Sequence, residues 1–218
     1  MKGRLALALG FALGLAAMAP AAVFLPAPPL AAMRAEGSLW RARLVDAALG
    51  QLRLGDIVLR LQPAAMVQGR LQWQADGMVS GAVWRGFAHA GAAGLNGRMT
   101  GSPLPGLPIA AMTLADVAAT LDGAGRCASA GGQVAAELAL PLAGQRQLAG
   151  ALRCDGPALM LPLTSADGRV RIDAVSNDGR WTARLVVAGA GAAESAALAA
   201  AGFRREAGAL VKEVNGTW

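Results

Sequence analysis

Few side chains in this sequence could carry chemistry, and they do not converge. His89 is the one histidine. It sits in a stretch that reads as a strand, with no nucleophile beside it in sequence for an imidazole to activate. No G-x-S-x-G elbow, H-E-x-x-H pair or S-x-x-K motif occurs. Asp116 and Asp122 lie near one another, but Gly123 marks a turn beside the second. An acid–base pair needs carboxylates opposed across a cleft, which this spacing does not supply. Cys127 and Cys154 with the distant His89 fall short of the ligand set that zinc takes. Gly189-Ala190-Gly191, between a strand pattern and a helix pattern, has the outline of a dinucleotide-binding turn. Glu194 stands where the third glycine belongs, its charge repels a pyrophosphate, and too little chain follows to complete such a fold. That turn reads as a strand-to-helix connector. The sequence therefore predicts no catalytic residue, no metal site and no cofactor.

The elements available to position anything are short strands. Apolar residues make up 55% of the chain, yet alanine supplies much of that fraction and buries little area. Aromatic residues are only 4% and tyrosine is absent, so large packing anchors are few. Trp40, Trp73, Trp84 and Trp181 are expected to fill that role. Leu71 to Asp76, Ile57 to Gln62, Leu148 to Cys154 and Arg169 to Ala174 alternate apolar and polar residues, the period of a strand with one covered face. Asp155-Gly156, Asp167-Gly168 and Asp178-Gly179 recur at hairpin spacing, and Asp-Gly tolerates the positive φ that tight hairpin turns require. Strands over 148–154, 157–163, 169–175 and 180–187 then form an antiparallel meander. Pro162 predicts that its strand is an edge or carries a bulge. Pro63 to Met66 reads as a turn, 110–119 as helix or strand, 194–201 as a short helix and 209–214 as a last strand. Gly37-Ser38-Leu39-Trp40-Arg41 is echoed by Gly81-Ala82-Val83-Trp84-Arg85, which points to one β unit used twice.

At the N-terminus, Lys2 and Arg4 precede an apolar run from Leu5 to Phe24. As a helix this run spans roughly 30 Å, the thickness of a bilayer core. The flanking positive charges keep the tip in the cytoplasm and deliver the rest across the membrane. Two readings of the run stand: an uncleaved anchor, and a cleavable signal peptide with small residues from Ala17 to Ala22 at the cut. The following Leu25-Pro26-Ala27-Pro28-Pro29-Leu30 reads as a stiff spacer. Export places the body in an oxidising compartment. There an even pair of cysteines points to a disulfide, with two buried thiols as the other reading. Net charge is +6, but the arginines are spread singly without a basic cluster, which argues against nucleic acid.

The order and spacing of several segments resemble those of the type II secretion system protein N family. They include the N-terminal run with its prolines, Gly37 to Trp40, Leu61-Gln62-Pro63, Gly69 to Trp73 and Gly81 to Trp84. They continue through Gly125-Arg126-Cys127, Ala130 to Val134, Leu148 to Cys154, Leu161-Pro162-Leu163, Asp178 to Trp181, Ala201-Gly202-Phe203 and Gly216-Thr217-Trp218. The resemblance implies a single-pass protein of the bacterial inner membrane with a periplasmic C-terminal body. It further implies a non-enzymatic accessory role in secretion, contacts with the other inner-membrane subunits and with the secretin, and no catalytic residues to carry over. The expected organisation is a cytoplasmic tip and transmembrane anchor over 1–24, a Pro-rich spacer over 25–35 and a periplasmic β-rich domain over 36–218. The expected fold is mainly β: a transmembrane helix, then a curved, mostly antiparallel sheet of repeated β units with one short C-terminal helix. An anchored sheet with one apolar face also admits a second function, a groove that binds lipid or another apolar ligand.

Overall fold

The computed structural model of the protein describes residues 30–38, 40–49, 52–102, 104–140 and 144–217. The anchor expected over 1–24 lies outside these residues. Among the described residues no helix is long and apolar enough to cross a membrane.

The chain runs as β1 (Leu30–Ala31), β2 (Arg34–Ser38), β3 (Arg41–Leu49), β4 (Leu52–Leu61), α1 (Pro63–Met66), β5 (Arg70–Gly77), β6 (Val79–Gly86) and β7 (His89–Thr100). It continues as β8 (Ile109–Asp122), β9 (Cys127–Leu140), β10 (Gly144–Ala151), β11 (Arg153–Asp155), β12 (Ala158–Ser165), β13 (Val170–Asn177) and β14 (Arg180–Val187). The last elements are α2 (Ala192–Ala200), β15 (Arg204–Glu206) and β16 (Ala209–Thr217). All strands join one antiparallel sheet in the order β1-β3-β4-β5-β6-β7-β8-β9-β10-β12-β13-β14-β16-β15, with β2 also on β3 and β11 on β12. From β3 to β10 each strand pairs with its neighbour in sequence. Beyond that, β11 lies off the main path on β12, and β16 comes between β14 and β15. The spacer's last residues belong to this sheet, since β1 and the start of β2 pair with β3.

The alternation read from the sequence sets one covered face. On β14, Trp181, Ala183, Leu185 and Val187 are buried while Arg180, Thr182 and Arg184 are exposed. Ile172, Leu163, Leu148, Ala136 and Leu138 continue the same apolar surface. The opposite face carries cross-strand charge pairs such as Arg98 with Glu137 at 2.8 Å. The covered face closes by rolling. Leu104 and Leu107, in the loop after β7, belong to the same core as Val214 of β16. A Cβ added at Gly106 would lie 3.1 Å from Val214. In a flat sheet the six steps from β8 to β16 would separate them by roughly 29 Å at ~4.8 Å per step. Leu198 of α2 and Phe203 complete the cover. A smaller cluster of Leu44, Ala47, Ile57 and Ala75 serves β3 to β5, and Leu54 packs against both.

A crease crosses β6 to β9. Their registers shift beside Gly81, around Leu95 and between Ala115 and Ala118. Gly81, Gly94, Asp116 and Gly132 all take positive φ there. The Asn96 side-chain oxygen accepts from the Asp116 amide at 2.8 Å and holds the bulge on β8. Each bulge adds bend and twist, the means by which a wide sheet rolls.

Of the three Asp-Gly turns one takes the type I′ form expected, since Asp155 and Asp167 do not have positive φ. Asp178 and Gly179 both take positive φ, as a type I′ turn requires. At Asp155-Gly156 the turn shifts by one, because Asp155 pairs with Ala158 and the central residues are Gly156 and Pro157. Pro162 lies on β12, an interior strand with neighbours on both sides, and not on an edge. Its carbonyl faces Gly150, so the side without an N–H meets the break between β10 and β11.

The third turn is held by a buried hydroxyl. Ser165 donates to the Asp167 carboxylate at 2.6 Å and accepts from the Val170 amide at 2.9 Å. Ser165→Ala would leave that buried amide unpartnered. We expect a loss of about 1–2 kcal/mol, read as a lower denaturant midpoint at unchanged slope.

Candidate interaction surface

The residues singled out for chemistry are held apart. His89 opens β7, exposed, with Asp122 as its cross-strand partner. Asp122 is occupied: its carboxylate accepts from the Arg126 guanidinium at 2.8 Å and from the Arg126 and Ala124 amides at 3.0 and 2.9 Å. Asp116 is exposed further along the same strand, roughly 20 Å away at ~3.3 Å per residue. At the connector Gly189-Ala190-Gly191, the Arg169 guanidinium takes the carbonyls of Ala188 and Gly189 and reaches Glu194 at 3.9 Å. The connector is thus fastened to the β12–β13 turn rather than opened as a phosphate cradle. Among the described residues no group of three or more His, Cys, Asp or Glu could hold a metal.

Cys127 and Cys154 form a disulfide with Cα atoms 5.7 Å apart. Its position has a local reason. β10 pairs with β9 only as far as Ala151 with Gln133. Beyond that, β11 pairs with β12 alone. The disulfide bridges β9 to β11 where the ladder between them stops, helped by the Cys127 amide on the Pro157 carbonyl at 2.7 Å.

The tryptophans divide by setting. Trp181 is buried and Trp84 half-buried, and each pairs across the ladder with a glycine, Gly216 and Gly91. A Cβ at either glycine would come within 2.9 Å of the indole, so each glycine is the seat for a ring. The Arg70 guanidinium lies 5.9 Å from the Trp84 ring. Trp73 is half-buried on β5, and Trp40 is exposed at the β2–β3 tip.

The polar face of β2 to β4 carries an open cleft lined by Glu36, Gly37, Arg41, Arg43, Asp56 and Val58. Arg43 and Asp56 pair across it at 2.8 Å. Asp56 is held below the usual carboxylate range by the Arg43 hydrogen bond and then by the Asp46 amide. Asp122 is lowered by the Arg126 amide first and its guanidinium second, and Asp167 by the Ser165 hydroxyl first. Such carboxylates contribute stability above their unfolded pKa and lose it as pH falls through the depressed folded value. The midpoint of thermal unfolding is therefore expected to fall on acidification below about pH 4. Asp122→Asn should flatten that fall, read by circular dichroism across a pH series.

What remains open is the sheet's two edges. β15 covers only Ala209 to Val211 of β16, so the outer edge over 212–217 has no neighbouring strand among the described residues. At the other end β2 pairs with β3 alone. Edge strands present free N–H and C=O groups in register for an added strand.

No curated protein and no solved structure matches this chain. The sequence model of the family described as "Type II secretion system (T2SS), protein N" matches residues 28–211. That span runs from just before β1 into β16 and takes in every buried member of the main core, the disulfide and α2, so the chain belongs to the type II secretion system protein N family and is a component of type II secretion.

Proposed function

We propose that the protein is a non-enzymatic accessory subunit of the secretion machinery, held in the inner membrane by residues 1–24 with its β body in the periplasm. It acts through protein–protein contacts with the other inner-membrane subunits and with the secretin. The observation that carries this reading is the open edge of β16 in a chain that belongs to a secretion family. A strand from a neighbouring subunit would add there by backbone hydrogen bonds, with little demand on side-chain chemistry. The disulfide suits the periplasm, where thiols are kept oxidised.

Deletion in the native host tests it. Secretion of type II substrates and recovery of the other subunits should both fall. Unchanged secretion with unchanged subunit levels would end the proposal. Intact-mass analysis of the membrane-bound chain reports whether residues 1–24 are retained. The alternative, a groove for acyl chains, draws no support from the covered face: Leu138, Leu185 and Leu198 are fully buried against other side chains. Protein purified from membranes is expected to carry no stoichiometric lipid, as read by mass spectrometry.

A further inference from the structure

The exposed apolar residues are not scattered. Among the described residues, the large exposed apolar side chains are Met33, Trp40, Met66, Val67, Leu71, Met78 and Phe87. Trp40, Met66, Val67, Leu71 and Phe87 gather at one end of β3 to β6, on the β2–β3 tip, α1 and its turn, the start of β5 and the β6–β7 loop. Neighbouring contacts tie these segments together. Leu61 donates to the Trp40 carbonyl at 2.9 Å, Gln62 donates to the Gln72 carbonyl at 2.8 Å, and a Cβ at Gly69 would lie 3.5 Å from the Phe87 ring. Val67 is 92% exposed and Phe87 101%, so neither contributes to this chain's own core. Single exposed apolar residues need no account, but a cluster on adjacent tips marks a contact.

The border of the cluster is cationic. Arg41 opens β3, Arg70 opens β5, and Arg85 pairs across the ladder with Leu71. None of the three has an acidic partner among the described residues, a condition they share with Arg53, Arg153, Arg180, Arg204 and Arg205. The Arg70 Nε is buried without a hydrogen-bond partner. A second copy of this chain would set arginine against arginine, which is unfavourable across an interface. The topology also separates this end from Leu30, the first described residue. Leu30 pairs with Leu49 at the far end of β3, whereas Trp40 and Arg41 sit at its start. The length between is roughly 30 Å at ~3.3 Å per residue.

We infer that this end of the sheet is a docking surface for a periplasmic protein that presents an apolar patch bordered by aspartate and glutamate. The inference rests on the proposed anchoring for its orientation: with residues 1–24 in the inner membrane, the cluster faces away from that bilayer. Phe87 and Val67 supply the apolar contact at the centre. Arg41 and Arg85 select the acidic border.

The test uses the full chain in membranes of its native host. A photo-crosslinking amino acid is placed at Val67, at Phe87 and, as control, at the exposed Thr182 of β14. Positions 67 and 87 should give a discrete adduct roughly tenfold above position 182, and the linked peptide should come from one protein with acidic residues beside the attachment point. Reversing the border with Arg41→Glu and Arg85→Glu should cut the adduct at 67 by about tenfold. Phe87→Ser, at a fully exposed side chain that the core does not use, should cut the adduct at 67 several-fold even if the charge reversals disturb folding. An adduct of two copies of this chain, an adduct with lipid alone, a yield equal to the control, or a yield unmoved by both kinds of variant would each overturn the inference. Intact mass of the same sample separates the two proposals. Loss of residues 1–24 with the adduct present defeats the anchor and leaves the docking surface standing. Retention of 1–24 with no adduct does the reverse.

Discussion

Gly132→Ala is expected to cost about 3 kcal/mol or more, a large fraction of the ~5–15 kcal/mol that holds an ordinary domain folded. Gly132 holds φ at +100°, and a Cβ there would overlap the Asp116 carbonyl and lie 2.5 Å from the Val117 Cα. Both neighbours are backbone of β8 at the crease, so neither can move aside as a side chain would. Gly150→Ala should be as damaging, because its Cβ would overlap the Pro162 carbonyl. The comparison that isolates the cause is Gly168→Ala. Gly168 also has a positive φ, +69°, but a Cβ there meets nothing within 4 Å. Its cost should be the conformational penalty alone, about 1 kcal/mol. Denaturant titration of the three variants, in detergent with the full chain, measures the differences. Equal losses at 132 and 168 would show that close backbone approach does not govern the crease.

The second large effect concerns the disulfide. Cys127 and Cys154 are 27 residues apart, and closing a loop of that size contributes about 3.5 kcal/mol in the chain-entropy account. Cys127→Ser with Cys154→Ser should lose an amount of that order. The loss should be local in its first expression, because the bridge spans the place where the β9–β11 ladder is missing. Hydrogen exchange at 127–132 and 153–157 is expected to accelerate more than at 134–140, where β10 pairs with β9 throughout. Uniform acceleration across β9 would mean that the bridge acts only on the unfolded chain.

The C-terminal meander was readable because its strands keep strict alternation and its turns carry Asp-Gly. The reading of 169–175 and 180–187 as strands corresponds to β13 over Val170–Asn177 and β14 over Arg180–Val187. The helix read over 194–201 is α2 over Ala192–Ala200. The middle of the chain was harder for a physical reason. Along β8 the buried residues are Ile109, Ala111, Met112, Leu114 and Val117, a sequence that changes phase twice in a strand with several register shifts. A period of two cannot survive such shifts, and the segment 110–119 therefore looked equally like helix or strand. Nor did sequence distinguish the two Gly-x-x-Trp segments. Gly37 to Arg41 straddles the β2–β3 hairpin tip and leaves Trp40 exposed, whereas Gly81 to Arg85 lies within β6 and seats Trp84 on Gly91. The difference is set by the partner strand, which local sequence does not contain. The absence of catalytic motifs was legible from residue types alone. The cationic border of the apolar tips was not, because Arg41, Arg70 and Arg85 reach the same end of β3 to β6 only through strand pairing.

Nearest-neighbour pairing writes an order of assembly into the chain. From β3 to β10 each strand needs only the one made just before it, so hairpins can zip in sequence as the polypeptide emerges N-terminus first. The roll cannot close on the same schedule. Leu104 and Leu107 wait for Val214, which arrives near the C-terminal end of the sequence, and the apolar face of a half-emerged sheet stays wet until then. A chain stalled midway would thus be ordered in its backbone and sticky on one side.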